Sequence, residues 1–156
     1  MARISIYGLE ELQKKLERTE KSIIKIQETA IYAGADVLAD AIKSGIQNIR
    51  TDGPSASETA RRKKQKQGLI ESFGIAPMQN DNGFINVKLG FDGYNNVATP
   101  SYPKGQPNAM VARMYNSGTS SLSKQAFFDK AVRSARNPAK KKVQQVLEDE
   151  INKLIE

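Results

Sequence analysis

The sequence predicts an α+β fold: a long N-terminal amphipathic helix packed on a small antiparallel β-sheet, with two or three shorter C-terminal helices. Three observations lead to this prediction. Apolar residues recur at helical spacing over residues 9–50, two strand-like stretches flank an Asn-Gly pair, and helix start and stop residues recur after position 106. With 156 residues and no internal repeat, the chain is expected to form a single domain, residues 1–156.

The first predicted element is a short strand, because Arg3–Tyr7 alternates and is β-branched. A helix is predicted over Leu9–Arg50, since its apolar residues fall on one stripe at about 100° per residue. The stripe residues are Leu9, Leu16, Ile24, Ile31, Gly34, Leu38, Ile42, Gly45 and Ile49. Polar residues at Glu17–Ser22 dilute the stripe, so the segment is either one helix with a projecting start or two helices.

Two stripe positions are glycines, Gly34 and Gly45. Each costs about 1 kcal/mol relative to alanine in a helix interior, so we expect another backbone to approach closely at both. Unbroken, this helix would be about 60 Å long, which in so small a chain suggests a partner or a sister subunit. The two glycines are therefore candidate residues for subunit packing.

A flexible basic arm is predicted over residues 51–68, because Thr51–Ser55 has the composition of a loop and a run of positive charge follows it. The positive residues are Arg61, Arg62, Lys63, Lys64 and Lys66. They indicate either contact with nucleic acid or an acidic partner, or simply a solvated, mobile segment. No aromatic residue is interleaved to stack on a base, which argues against single-strand binding.

An antiparallel hairpin is predicted from Leu69–Met78 and Phe84–Phe91, joined by a turn at Asn82-Gly83, with one face on the long helix. Asp92–Gln106 then has no periodicity and is predicted to be a long surface loop. Its candidate partner contacts are Tyr94, Tyr102 and Lys104, although the two tyrosines are equally consistent with packing back on the domain.

Two helices are predicted after this loop. Pro107 suits the first position of a short helix that Gly118 ends. Ser123 suits the N-cap of the next helix, whose apolar face includes Phe127 and Phe128 and which Asn137-Pro138 is expected to break.

A last helix is predicted over Pro138–Ile155. Its basic residues Lys140, Lys141 and Lys142 come first and its acidic residues, Glu148–Glu150, come last. This polarity is the reverse of the one that the helix dipole favours. We therefore expect the lysines either to pair with an acidic surface, as candidate partner contacts, or to be solvated.

The composition excludes several kinds of chemistry. The chain has no cysteine and no histidine, which removes disulfides, thiol catalysis, thiolate metal sites, and the usual general base and metal ligand. The acidic pairs, Asp36 with Asp40 and Glu148–Glu150, suggest either a hard-cation site or a solvated helix face, and the second is expected. We predict no catalytic, metal or cofactor site; the weaker alternative is an enzyme with an unfamiliar site that involves Ser72 or Asp36.

Charge and hydropathy favour assembly. Hydrophobic residues make up 38% of the chain and the net charge is +7, so the core is sparse and a polyanionic neighbour is favoured. Neither a membrane span nor a secretory signal is found, so no membrane partner is expected and the chain is predicted to be cytoplasmic. The charge alone suggests a small, sequence-independent DNA-binding accessory protein as one candidate function.

Three stretches in order resemble a family of tail-component proteins of long-tailed bacteriophages, encoded among the head–tail joining genes. The first is Gly8–Leu12, leading a long helix that contains Ala33–Ala35. The second, Gly68–Phe73, is similar to the family's Thr-Gly-x-Leu-x-x-Ser. The third, Ala112–Thr119, is similar to Ala-x-x-x-Glu-x-Gly-Thr and precedes an aromatic helix. Gln67 replaces the family's threonine, and Asn116 replaces its usual glutamate.

The resemblance implies a structural virion protein, a tail completion or head–tail joining component in the neck of a phage or prophage particle. Such subunits form rings, often six-fold, around the channel for double-stranded DNA, and reside in the virion or, during assembly, in the host cytoplasm. The expected partners are copies of the chain, other neck and tail proteins and, non-specifically, DNA. Further candidate residues for subunit packing are Tyr115, Asn116, Phe127 and Phe128.

Overall fold

Two long helices form the spine of the computed structural model, which describes residues 9–155, with side chains at 14 and 17–154. The described elements are α1 Leu9–Gln47, α2 Ala56–Ser72, β1 Phe73–Ile75, β2 Gln79–Asp81, β3 Phe84–Asn86, β4 Leu89–Phe91, α3 Asn108–Ser117 and α4 Phe127–Ile155. The predicted α+β fold is confirmed. The predicted strand Arg3–Tyr7 lies outside the described residues.

α1 is one continuous helix of 39 residues, which answers the question of one helix or two. It packs antiparallel to α4. Gly34 faces Ala139 and Val143, whereas Gly45, later in α1, faces Phe127 at the start of α4. Both glycines therefore admit a close neighbour, as predicted, but that neighbour is α4 of the same chain. Their assignment to subunit packing is wrong.

α4 runs unbroken from Phe127 to Ile155 with Pro138 inside it, so the predicted break is wrong. Ala135 and Ala139 are buried on either side of the proline, and their packing holds the helix together there. Pro138 itself lies on the exposed face, where water can bond the carbonyl group that loses its helical partner. Lys140–Lys142 consequently lie in mid-helix, and the unfavourable dipole inferred for a helix start does not arise.

The predicted basic arm is also wrong in its conformation, because residues 56–72 are the helix α2. Ser55 Oγ accepts a hydrogen bond from the backbone N–H of Glu58 at 3.2 Å and caps the helix. This Ser-x-x-Glu spacing is a capping signal that the run of positive charge obscured. The predicted strand from Leu69 is helical through Ser72, because Gln65 and Leu69 are buried at a spacing of one helical turn.

The predicted antiparallel hairpin is confirmed, but the bounds of its first strand are wrong: β1 covers only part of the predicted Leu69–Met78, and β2 lies just after it. β2 pairs antiparallel with β3, and β1 pairs antiparallel with β4. Asn82 and Gly83 have φ values of 54° and 89°, the left-handed pair of a two-residue hairpin turn. The hairpin lies on α1, and the Tyr32 hydroxyl accepts a hydrogen bond from the Met78 N–H at 2.8 Å.

The core lies where α1, α2, α3, α4 and the β1–β4 pair meet. Its largest fully buried side chains are Tyr115, Ile42, Ile46, Leu69 and Val111. An aromatic cluster closes it: Phe91 has ring centroids at 5.3 Å from Phe73 and 6.3 Å from Phe127, with Phe128 at 6.4 Å. Tilted and edge-on pairs at these separations add about 0.5–1.5 kcal/mol each beyond burial.

The segment 92–106 is more ordered than a plain surface loop. Asn95 and Gln106 are buried, and Asn95 Oδ1 accepts hydrogen bonds from the N–H groups of Val97 and Gln106 at 2.9 and 3.1 Å. Single bridges pair Tyr94 with Pro107 and Thr99 with Tyr102. The segment therefore folds back on itself, and only part of it is a free surface.

Replacing Gly45 by alanine should destabilise the protein, although alanine is the better helix former. The added Cβ would lie 2.9 Å from the Phe127 carbonyl oxygen, so the helices would have to separate. Overpacking should outweigh the propensity gain of about 1 kcal/mol, for a net loss of about 1–2 kcal/mol in the free energy of unfolding. Denaturant titration measures it, with exposed Ser44→Ala as the matched control; equal stability of the two variants would contradict the close approach.

Candidate interaction surfaces

The five basic residues of α2 do not form one surface. Lys66 Nζ donates hydrogen bonds to the carbonyl oxygens of Gln47 and Ile49, at 2.5 and 3.1 Å. A lysine at this position satisfies unpaired carbonyls at the C-terminal end of α1 and complements its dipole. Arg62 donates to the carbonyl oxygen of Asp52 and to Glu58. Lys66 and Arg62 therefore anchor α2 to the end of α1 and to the loop after it.

The other three basic residues are exposed. Arg61 is paired with Glu58 at 2.7 Å, and hydrogen bonds from Arg61 and Arg62 hold the pKa of Glu58 below its usual value. Among the described residues, Lys63 and Lys64 form no ion pair. Of the predicted basic patch, these two ammonium groups are the ones free to meet a partner.

Lys64 and Tyr94 line the same polar cleft of about 530 Å³, between α2 and residues 92–96. Gly68 forms part of its wall, and a Cβ there would lie 2.7 Å from Asn95 Cβ and 2.8 Å from Asn108 Oδ1. The motif glycine thus lets the 92–96 segment and α3 pack against α2. Tyr94 is 68% exposed and remains a candidate contact.

The other predicted loop contacts have different surroundings. Tyr102 is half-buried, and its backbone pairs with Thr99 in a tight turn, so both interpretations, a partner contact and packing on the domain, stay predictions. Lys104 is exposed. Lys140, Lys141 and Lys142 are exposed on α4 and also remain candidate contacts.

Tyr115 belongs to the core and is fully buried, so its assignment to subunit packing is wrong. Its hydroxyl donates to Gln65 Oε1 at 3.0 Å, and Gln65 Nε2 donates to Gln106 Oε1 at 2.7 Å. This chain of bonds joins α3, α2 and the end of the 92–106 segment. Burial raises the pKa of Tyr115 to about 12.

Asn116 also works within the chain. Its Oδ1 accepts hydrogen bonds from the N–H groups of Phe128 and Asp129, both at 3.1 Å, and so caps the first turn of α4. Phe127 is buried and Phe128 half-buried in the aromatic cluster. Burial of Phe127 inside the chain contradicts its assignment to subunit packing, whereas the same assignment for the half-buried Asn116 and Phe128 stays a prediction.

Sequence reasoning missed Gln125, which joins the residues just before α4 to the residues just after α1. Its Oε1 accepts from the Arg50 N–H at 2.8 Å, and its Nε2 donates to the Arg50 carbonyl oxygen at 3.0 Å. The side-chain amide thus forms two hydrogen bonds with the backbone of Arg50, in the way that a residue of a neighbouring β-strand does. A glutamine in a loop carries no pattern that would have revealed this contact.

An apolar face was also missed. Two adjoining grooves of about 230 and 370 Å³ run between α1, α4 and the hairpin, and they share Ile31 and Val143. Arg136 and Lys140 lie at one side of the larger groove, and Phe84, 72% exposed, lies at the smaller one. We call this surface the groove face.

Near the end of α4, Leu154 lines a pocket of about 260 Å³ with Ser22, Lys25, Glu150 and Lys153, so basic and acidic groups lie beside it. Four large apolar side chains in this part of the two helices are each between 43% and 50% exposed: Ile23, Ile24, Ile151 and Leu154. Ile24 lies one helical turn from Gln27, and Ile151 one turn from Leu147, so these two side chains extend the smaller groove along the same helices.

Replacing Tyr115 by phenylalanine should cost about 1–3 kcal/mol, because Gln65 Oε1 would be left buried without its donor. In the wild type, the raised pKa means that the folded state holds the phenolic proton more tightly than the unfolded state. That contribution is complete below the ordinary value of 10.0 and is lost as pH rises through about 12. Between pH 9 and 12, the free energy of unfolding should therefore fall less steeply with pH in the variant than in the wild type. Identical slopes would contradict a buried, protonated Tyr115 hydroxyl.

Replacing Asn116 by alanine should lower the free energy of unfolding by about 1 kcal/mol, since α4 loses its cap. Asn116→Asp is the matched control, because it keeps the acceptor and adds a negative charge at the helix N-terminus. At pH 7 the aspartate variant should be as stable as wild type. Thermal unfolding of the two variants tests this, and equal losses would show that the cap does not matter.

No helix within residues 9–155 is long and apolar enough to cross a membrane. Comparison with protein-family models, with curated proteins and with solved structures finds no match to this chain.

Proposed function

We propose that this chain is a structural subunit of the neck of a long-tailed phage or prophage particle, a tail completion or head–tail joining protein that belongs to a six-fold ring around the DNA channel. The carrying observation is the ordered set of three motifs resembling that family. Two of them coincide with the junctions of the fold: Gly68 and Leu69 where α2 meets α3, and Asn116 where α3 meets α4.

The exposed apolar surface supports a role in assembly. A ring subunit must present two different faces to its neighbours, because each copy meets the next head to tail. The groove face is an exposed apolar surface of the kind that such a neighbour covers. A structural role of this kind needs no catalytic group. Contact with a neighbour would also bury apolar side chains that a monomer leaves exposed to water.

The basic residues fit a neighbour that is polyanionic. Lys63, Lys64 and Lys104 are exposed, so a ring of such subunits would carry repeated positive charge, suited to DNA in a channel. A DNA-binding accessory protein acting alone is the weaker candidate. Arg62 and Lys66, two of the five residues that suggested it, are held by carbonyl groups within the chain.

Deleting the gene from the phage or prophage that carries it should give filled heads and separate tails that do not join, because the neck would be incomplete. Electron microscopy of lysates and plaque counts measure this, and a wild-type copy supplied in trans should restore joined, infectious particles. Normal infectious particles without the gene would overturn the proposal. Retention of the purified protein on DNA at low salt would then favour the accessory role.

A further inference from the structure

Three residues that line the polar cleft between α2 and residues 92–96 each hold a buried polar atom without a hydrogen-bond partner. The atoms are Ser72 Oγ, Asn95 Nδ2 and Asn108 Oδ1, and the part of the chain that the structure describes holds one other such atom. Asn95 is 4% exposed and Asn108 is 3% exposed. Folded proteins pair the large majority of buried polar atoms, so three in one cleft indicate a site that receives a ligand.

The orientation of both asparagine amides is fixed by the bonds at their other ends. Asn95 Oδ1 accepts hydrogen bonds from the N–H groups of Val97 and Gln106, so its Nδ2 is the unpaired donor. Asn108 Nδ2 donates to the Asp92 carbonyl oxygen at 2.9 Å, so its Oδ1 is the unpaired acceptor. Exchanging oxygen and nitrogen in either amide would break these bonds. The cleft therefore offers one donor and one acceptor, with a hydroxyl that can act as either.

The two amides lie close together because α2 has a glycine beside them. A Cβ on Gly68 would lie 2.7 Å from Asn95 Cβ and 2.8 Å from Asn108 Oδ1. Both side chains thus approach the same point of α2, one helical turn before Ser72 on the same face of the helix. A donor next to an acceptor matches the C=O and N–H groups that every peptide backbone carries. The volume of about 530 Å³ lies within the roughly 300–1,000 Å³ of ligand pockets.

Exposed side chains form the rim of this cleft. Glu71 and Asp92 contribute two carboxylates and Lys64 one ammonium group, so the rim carries a surplus of negative charge. Within the described residues, none of these three groups forms an ion pair. A rim of this sign disfavours the phosphates of DNA and favours a cation. The ring of Tyr94, which is also on the rim, is a surface on which a guanidinium group can stack.

We propose that this cleft binds a short extended segment of a partner protein that carries an arginine. Asn95 donates to a backbone carbonyl of the segment, Asn108 accepts from a backbone N–H, and the Ser72 hydroxyl supplies a further bond. The arginine lies against Glu71 and Asp92. The inference goes beyond the proposed neck role, because it assigns a recognition chemistry to one cleft whatever assembly the chain belongs to.

Titration of the isotope-labelled full-length protein with a capped tripeptide, acetyl-Gly-Arg-Gly-amide, tests the site. In amide NMR spectra, the side-chain signals of Asn95 and Asn108 and the backbone signal of Gly68 should shift together, with a Kd of about 1 mM. The matched controls are the same peptide with glutamine or glutamate in place of arginine. They should bind about fivefold and roughly tenfold more weakly, because they lose the cation or reverse its sign.

Removing the rim charges tests the arginine contact. Glu71→Gln with Asp92→Asn keeps an oxygen for the hydrogen bonds that Gln67 Nε2 and the Gly93 N–H donate there. This variant should bind the arginine peptide about fivefold or more weakly and the glutamine peptide as wild type does. Equal loss for both peptides would mean that the charges do not read the arginine, and it would overturn the proposal.

The matched control for net charge is Glu28→Gln with Asp40→Asn, both exposed on α1 and outside the cleft. It should bind every peptide as wild type does. A loss as large as that of the rim variant would mean a general effect of charge and would overturn the proposal.

Ser72→Ala separates binding from folding. It removes an unpaired buried hydroxyl, so the free protein should melt at the same temperature as wild type or higher, while the arginine peptide should bind about threefold or more weakly. Binding equal to that of wild type would overturn the proposal.

The wild-type titration can fail on its own. No shift up to about 10 mM of the arginine peptide would mean that the unpaired atoms meet water only, which overturns the proposal. Shifts of the same signals with a DNA duplex, and none with the peptide, would also overturn it and assign the cleft to nucleic acid. Neither result depends on how particles lacking the gene behave, so the cleft and the neck role fail separately.

Discussion

The close packing of α1 on α4 is the contact on which the rest of the structure depends. Alanines and two glycines line the α1 side of it, so the helix backbones approach where larger side chains would hold them apart. This approach brings Phe127 to Gly45 and places the aromatic cluster beneath the hairpin. It also holds the two antiparallel helices side by side beyond the core, where apolar side chains of both are exposed.

Buried and half-buried polar groups hold the remaining elements to this spine. Tyr115, Gln65 and Gln106 join three segments, Asn116 starts α4, and Lys66 completes the end of α1. Each of these side chains leaves a partner without a hydrogen bond if it is removed, so they specify one arrangement as well as stabilise it. Because only 38% of the chain's residues are hydrophobic, its apolar core is small, and such bonds help to specify how the elements around it are arranged.

The functional consequence is a division between residues used inside the chain and residues left over. Several side chains that suggest a partner are engaged inside the chain, whereas most of the candidate lysines are exposed; the engaged ones include Tyr115, Asn116, Phe127, Arg62 and Lys66. The surfaces that remain are the groove face, the polar cleft beside α2, segregated charge on α4, and exposed lysines on α2. Such a surface suits a subunit that works through its neighbours, and its asymmetry suits a repeating head-to-tail assembly.

Periodicity and turn chemistry in the sequence determined the α+β class, the long first helix, the Asn82-Gly83 hairpin and the close approach at Gly34 and Gly45, because these depend on local spacing. The N-cap at Ser55 also depends on local spacing, but the run of positive charge that follows it led to the prediction of a flexible arm. Only the tertiary structure decided that α4 continues through Pro138, since packing of Ala135 and Ala139 on α1 outweighs one lost hydrogen bond. It also decided the partners of Asn116 and Gln125, because contacts between distant segments depend on which surfaces the packed helices bring together.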